Sequence, residues 1–134
     1  MSWATACKGG LQAGPVFVST LQQVALAAVG FVERVACMRA QGDETRVRSL
    51  SWGGENWRVA YSLRGRGAHY CGNVGRAHRS NTNYIVVDYE HGVVAARCFD
   101  PDCARWCSEW TPLPHEVWRQ HELIMACHAH LLAA

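Results

Sequence analysis

The chain has 134 residues, a formal net charge of +2 and 49% hydrophobic residues. This length allows one domain with one modest core, and so small a net charge gives no argument by itself for a nucleic-acid partner. The most apolar stretch, Val24 to Val32, is far too short to span a bilayer. Because seven cysteines follow a start that lacks the pattern of a signal peptide, we expect metal ligands or reduced core residues in a soluble, reducing compartment.

The first half of the chain predicts a flexible start followed by a helix. Residues 1–15 are rich in Gly and small side chains, which is typical of a linker, and residues 16–134 then form a single domain. Ser19 and Gln22 have the spacing of a capping box. Apolar residues recur from Leu21 at helical intervals, so we expect one helix of about 20 residues that ends at Gly42.

The middle of the chain predicts an antiparallel sheet. A short strand is expected near Val47 to Trp52, and the segment from Trp57 to Leu63 alternates like a half-buried strand with arginines on its outer face. After a glycine turn, a returning strand from Ala68 would lead to Cys71. The segments from Tyr84 to Tyr89 and from Val93 to Cys98 form a hairpin around a short turn that contains glycine.

A last helix follows Pro114, roughly from His115 to Leu132. Its inward-facing residues are expected to be Val117, Ile124, Cys127 and Leu131. The predicted fold class is therefore α+β: a small antiparallel sheet of about four strands, flanked by an N-terminal and a C-terminal helix, with a zinc knuckle at one end of the sheet.

Two pairs of soft metal ligands bracket the predicted hairpin. Six residues separate Cys71 from His78, and four separate Cys98 from Cys103, where the Asp100-Pro101-Asp102 turn curls the chain back. A hairpin brings its two ends together, so the two pairs can converge on one ion. Because Zn²⁺ prefers thiolate and imidazole at the corners of a tetrahedron, the spacing predicts a structural zinc site with three cysteines and one histidine.

Other soft side chains near these pairs remain open as ligands. Cys107 lies four residues beyond Cys103, His69 lies one strand repeat before Cys71, and His91 lies on the far turn of the hairpin. A second cluster near the end of the chain is more simply interpreted as a polar helix face with one buried cysteine; its members are His121, Cys127, His128 and His130.

Arginine is concentrated around the first ligand pair. No acidic residue lies between Glu55 and Asp88, whereas five arginines do. Three thiolates with one Zn²⁺ carry a net charge of −1, so attraction for phosphate has to come from arginine forks. The first candidates for a phosphate contact are Arg76 and Arg79, and the second are Arg64, Arg66 and Arg97.

Most of the aromatic and acidic residues near the site are not expected to take part in binding or catalysis. Tyr70 could stack on a base, whereas core packing is the better expectation for Tyr84 and Phe99. The carboxylate pairs Asp88 with Glu90 and Asp100 with Asp102 lack the partners that a two-metal polymerase site needs. We therefore expect no catalytic residue in this segment.

The spacing also carries a resemblance to a known family. The string Cys71-x6-His78-x-Ser80-Asn81, followed by an apolar hairpin and Cys98-x-Asp100-Pro101-x-Cys103, resembles the carboxy-terminal zinc module of herpesvirus-type DNA primases. It is also similar to the zinc module of eukaryotic primase-polymerases, including an arginine two residues before the histidine. The resemblance covers residues 69–104, and it implies that Zn²⁺ is held by Cys71, His78, Cys98 and Cys103.

The resemblance implies a function in DNA replication. Such a module helps to bind single-stranded DNA template and the initiating nucleotide during RNA primer synthesis, beside a separate catalytic core. It further implies assembly with the helicase and accessory subunits of a helicase-primase in the host nucleus, with no membrane partner. The alternative is a zinc-stabilised protein-interaction scaffold without nucleic-acid contact, docked through its first helix. A third reading is a cysteine enzyme that uses Cys71 with a nearby histidine.

Overall fold

The computed structural model describes residues 15–53, 56–119, 121–123 and 126, so the predicted linker lies outside the described residues except for Pro15. Two helices follow, α1 (Pro15–Ala27) and α2 (Val29–Arg39). The prediction of one helix starting near Ser19 is wrong: α1 already begins at Pro15, where the absent N–H costs no hydrogen bond. Ala28 has φ −91° and ψ 0°, and the axes bend there by 49°. The bend lets apolar residues of both helices face the same sheet.

Five antiparallel strands form the main sheet, in the order β1-β2-β5-β6-β7. The strand near Val47 to Trp52 and the long hairpin are confirmed, and a two-residue strand makes the sheet one strand wider than predicted. The strands are β1 (Arg46–Trp52), β2 (Arg58–Arg64), β5 (Asn83–Asp88), β6 (Val93–Cys98) and β7 (Thr111–Pro112).

A separate two-stranded ribbon, β3 (Tyr70–Cys71) with β4 (Arg76–Ala77), leads to the candidate metal ligands. The predicted strand that leads to Cys71 is present, but its predicted start at Ala68 is wrong, because Ala68 lies in a 3₁₀ turn and the strand pairs outside the main sheet. The Gly67 N–H donates to the Glu44 carbonyl at 2.9 Å, and a Cβ at Gly67 would lie 2.0 Å from the Thr45 hydroxyl oxygen. The turn is therefore tied to the loop before β1.

The core lies between the two helices and one face of the sheet. On β2 the predicted alternation is confirmed, since Val59, Tyr61 and Leu63 are all buried. The Tyr61 hydroxyl donates to the Ala25 carbonyl of α1 at 2.8 Å and lies 2.6 Å from the Tyr89 hydroxyl. Burial raises the pKa of both tyrosines, so they stay neutral and connect helix to sheet.

A C-terminal helix begins after Pro114 as predicted, with residues 115–119 and 121–123 helical, and the α+β fold class is confirmed. Val117 packs against the core, whereas the other predicted inward residues of this helix lie outside the described residues. His121 is only 7% exposed and lies among the rings of Trp57, Tyr89 and Trp118, so its placement on a polar face is wrong. Cys127, His128 and His130 are outside the described residues.

Over the described part of the chain, no single helix is long and apolar enough to cross a membrane; α1 and α2 would meet the length and composition requirement only if taken together across their bend.

Candidate metal centre

Four soft side chains converge where β6 ends. Cys71 comes from the end of β3, His78 follows β4, Cys98 ends β6, and Cys103 ends the 3₁₀ turn Pro101–Cys103. Their potential ligand atoms all lie within 4.8 Å of one another. The structure thus brings together the four residues predicted as ligands, from two segments far apart in the chain.

The distances fit a single tetrahedral ion. The Cys71 and Cys103 sulfurs are 3.9 Å apart, and the Cys103 sulfur is 3.7 Å from His78 Nε2. Zinc–ligand bonds of about 2.3 Å to sulfur and about 2.0 Å to nitrogen give tetrahedron edges of about 3.8 Å between two sulfurs and about 3.5 Å between sulfur and nitrogen. These sulfurs are too far apart for a disulfide bond, for which the separation is about 2.05 Å. The group could therefore hold a metal ion.

The three thiols are buried together, with exposures of 0%, 4% and 2%, and the Trp106 ring packs against them. Burial is the main cause that raises the pKa of Cys98 to about 12, and the neighbouring Cys71 and Cys103 add to it, whereas a hydrogen bond from the Asp100 amide opposes it. The Cys98 thiol is therefore favoured in its protonated form unless a cation stabilises its thiolate. The environment therefore favours metal binding over free thiolate chemistry at Cys98.

Asp100 connects the histidine ligand to the turn that carries Cys103. Its Oδ2 lies 3.2 Å from His78 Nδ1, while its Oδ1 accepts from the Asp102 N–H at 2.9 Å. Nε2 faces the sulfurs and Nδ1 faces the carboxylate, the arrangement by which a carboxylate orients a metal-bound imidazole. The sequence analysis missed this role, although the Asp-Pro pair placed directly after Cys98 and Phe99 was the available signal.

The β3–β4 ribbon holds the first ligand pair in place. Gly75 has φ +73° at its turn, and its N–H donates to the Cys71 carbonyl at 2.9 Å. Asn73 Nδ2 donates to the Cys103 sulfur at 3.3 Å, a contact that sequence reasoning also missed. Gly72 serves a different purpose, because a Cβ there would lie 2.9 Å from the Trp106 ring.

None of the alternative ligands joins this group among the described residues. His69 Nδ1 lies 3.0 Å from the Asn81 carbonyl. His91 Nδ1 lies 3.0 Å from Asp88 Oδ2, at the opposite end of the hairpin. Cys107 forms a β-bridge with Arg97 and is half-buried.

The acidic pair Asp88 and Glu90 has a structural role. Burial alone would raise the pKa of Asp88, but hydrogen bonds from His91, from Arg58 and from the Glu90 amide outweigh it and lower that pKa below its usual value. The Asp88 carboxylate caps the hairpin turn through the amides of residues 90 and 91, at 2.9 and 3.0 Å. Glu90 is exposed in the turn, so the pair does not present a shared cation site.

The five arginines that are candidates for phosphate contacts differ in side-chain exposure and in whether they already have a partner. Arg76 lies opposite Cys71 in the β3–β4 ladder, and Arg79 directly follows His78. Both are exposed, as are Arg64 and Arg66, and within the described ranges none of the four has an ion-pair partner. Arg97 is half-buried and donates to the Ala104 carbonyl at 3.1 Å, so it is the least available.

The segment that contains the candidate ligands matches a known protein family. Residues 55–113, which contain all four candidate ligands, match the family described as Herpesviridae UL52/UL70 DNA primase. The predicted resemblance is confirmed. Part of this chain is similar to the DNA-directed primase/polymerase proteins of Danio rerio (44% identity over 57 residues, 41% of this chain and 11% of the relative) and of Bos taurus (46% over 50 residues, 36% and 9%).

The human DNA-directed primase/polymerase protein is similar to the same extent, at 44% identity over 50 residues, 36% of this chain and 9% of the relative. The chain thus spans about a tenth of the length of the curated relatives it matches. No solved structure matches.

Proposed function

We propose that this chain provides the zinc-binding module of a DNA primase. In this proposal a structural Zn²⁺ is held by Cys71, His78, Cys98 and Cys103, and it fixes a basic loop that helps to bind template DNA and the initiating nucleotide. The observation that carries the proposal is the four-residue group itself, whose ligand atoms lie within 4.8 Å of one another inside the segment that matches the primase family.

Zinc is favoured over other ions by the donor set. Three sulfurs and one imidazole suit a borderline-soft ion with tetrahedral geometry, and a closed site with four protein ligands is typical of structural zinc. When bound, the ion supplies folding free energy and no reaction chemistry. The chain's own contribution is to hold the thiolates in a dry pocket and to orient the histidine through Asp100.

The basic loop supplies the attraction for nucleic acid. Arg76 and Arg79 flank His78 within two residues on either side, are exposed, and are separated from Asp88 by a stretch without acidic residues. Guanidinium groups form strong, charge-assisted contacts with phosphate oxygens, and the net negative charge of the zinc centre cannot replace them. Arg64 ends β2 and Arg66 begins the 3₁₀ turn that leads to Cys71, and both add exposed positive charge.

The test is binding of a fluorescent single-stranded DNA to the zinc-loaded chain at several salt concentrations. We expect affinity to fall steeply with salt and to be lost in the Arg76→Ala, Arg79→Ala double variant. An Arg34→Ala, Arg119→Ala double variant removes the same charge from exposed helical positions and should keep most of the binding. Absence of binding by the unmodified chain at every salt concentration would favour the protein-interaction scaffold instead.

The same proposal extends to the parent protein and to the subunits with which it would assemble. Because the matched segment is about a tenth of the length of its curated relatives, the module would act beside a catalytic core that performs primer synthesis. Assembly with helicase and accessory subunits in the host nucleus would follow if the parent protein is a herpesvirus-type primase. Co-purification of the chain with such subunits from infected-cell nuclei is the observation that tests this part.

A further inference from the structure

An open groove of about 580 Å³ lies on the sheet next to the metal centre. It is bounded by the loop of residues 80–82, which follows the His78 ligand, and by Phe99, which follows the Cys98 ligand. Its other lining residues come from β1 and β2 and include Arg48, Ser49 and Ser62. Among the residues that the structure describes, no acidic residue lines it. The groove is therefore polar and cationic, and it has one exposed ring.

Strand register explains why polar side chains line this face. Ser49 pairs with Ser62, Ser62 pairs with Tyr84, and Tyr84 pairs with Arg97, so these four form one row across the sheet. Directly paired residues point to the same face. All four are partly exposed, whereas the neighbouring row is buried on the helix side; that row is Leu50, Tyr61, Ile85 and Ala96.

A β-bulge directs Arg48 to the groove. Val47 pairs with Leu63 and Ser49 with Ser62, so Arg48 is the extra, unpaired residue between them. Bulges change the direction of a side chain and occur preferentially beside functional sites. Arg48 is exposed and has no ion-pair partner in the described part of the chain, unlike Arg46, which contacts Glu33.

Phe99 provides an aromatic surface at the same place. Its ring centroid lies 4.3 Å from that of Tyr84 at an interplanar angle of 30°, and its N–H donates to the Thr82 carbonyl at 3.0 Å. Core packing was expected for Phe99, and that expectation is wrong, because the residue is 51% exposed. Tyr84 supports the ring from one side, so the exposed part of Phe99 is held in a fixed orientation.

We propose that this groove binds one nucleotide of a single-stranded nucleic acid, with the base on Phe99 and a phosphate at Arg48. The inference rests on the proposed function and adds a second contact region to the arginine loop. Base–aromatic stacking accepts every base, and serine, threonine and asparagine side chains commonly contact phosphate and sugar oxygens. Arg79 directly precedes Ser80 in the groove wall, so a strand leaving the groove would continue onto the arginine loop.

The experiment uses the zinc-loaded full chain and a fluorescent oligo(dT). We expect Phe99→Leu, which keeps apolar volume but removes the ring, to weaken binding by at least about fivefold. Phe99→Tyr, which keeps the ring, should bind as tightly as the unmodified chain. Arg48→Ala should lower the salt slope by about 0.7, the value for one lost phosphate contact on a single strand, whereas Arg34→Ala on α2 should leave it unchanged.

Photo-crosslinking of a 5-iodouracil oligonucleotide to the unmodified chain tests the contact without any substitution, and an adduct at Phe99 or Tyr84 is the expected result. If the unmodified chain binds but Phe99→Leu and Arg48→Ala bind equally well, the groove assignment is overturned while the proposed function stands. If only the Arg76→Ala, Arg79→Ala variant loses binding, the groove assignment is likewise overturned and the proposed function stands. If the unmodified chain does not bind, both proposals fail.

Discussion

For the proposed zinc site, Asp100 allows the contribution of a single side-chain contact to metal affinity to be measured. In Asp100→Asn the side chain keeps its shape, but only one of its two polar atoms can still accept a hydrogen bond. In the structure the Asp102 N–H donates to one oxygen of this carboxylate at 2.9 Å, and His78 Nδ1 lies 3.2 Å from the other. In either orientation of the new side-chain amide, only its oxygen can accept a hydrogen bond and its NH₂ group cannot, so one of the two contacts is lost.

The size of the effect follows from burial and charge. The His78 and Asp100 side chains are 13% and 16% exposed, so solvent screens their 3.2 Å contact only weakly. Loss of such a contact to a metal-bound histidine typically lowers metal affinity by about 10- to 100-fold, or about 1.4 to 2.7 kcal/mol. With zinc well above its dissociation constant, the free energy of unfolding should fall by the same amount.

Competition against a chromogenic zinc chelator measures the affinity, and thermal unfolding at fixed free zinc measures the stability. Asp102→Asn is the matched control, because it makes the same chemical change two residues away on an exposed side chain that does not contact the imidazole. Equal zinc affinities for the two variants would refute the role assigned to Asp100.

The other predictions concern the ligands, the hairpin and the packing around the site. Cys71→Ser should abolish stoichiometric zinc, whereas Cys37→Ser on α2 should retain one ion per chain, as measured by metal analysis of the purified protein; zinc retained in the first variant would contradict the ligand assignment. Because the Asp88 pKa is lowered on folding, its contribution to stability is present above the usual pKa of 3.8 and is lost as pH falls through the folded value. Asp88→Asn should therefore lower the free energy of unfolding by about 1 to 3 kcal/mol at pH 7, measured by chemical denaturation, without weakening zinc binding. Glu90→Gln should change the free energy of unfolding little. An equal decrease in both variants would argue against the role of the buried Asp88 carboxylate as a cap of the turn. Gly72→Ala should lower the melting temperature because its Cβ would lie 2.9 Å from the indole ring beside it, and an unchanged melting temperature would show that this ring moves freely.

Local sequence patterns predicted four strands of the main sheet and the four ligands, but they left Cys107, His69 and His91 open as alternatives. Alternation predicted β2, the glycine-containing turn predicted the hairpin, and the spacing of Cys71, His78, Cys98 and Cys103 selected the four residues that the structure brings together. Each of these features depends on residues close in the chain or on the antiparallel geometry of a single hairpin, so it can be derived without the rest of the fold.

Contacts between distant segments decided the rest. The break at Ala28, the departure of Ala68 from the sheet and the burial of His121 each depend on elements that meet only in the folded chain. The same holds for Phe99, whose apolar side chain remains exposed because it stacks on Tyr84 outside the core. The sequence by itself determined which atoms could bind a metal ion. The tertiary structure decided which surface surrounds those atoms, because packing between distant segments sets the exposure of each side chain. Local spacing in the sequence does not encode that packing.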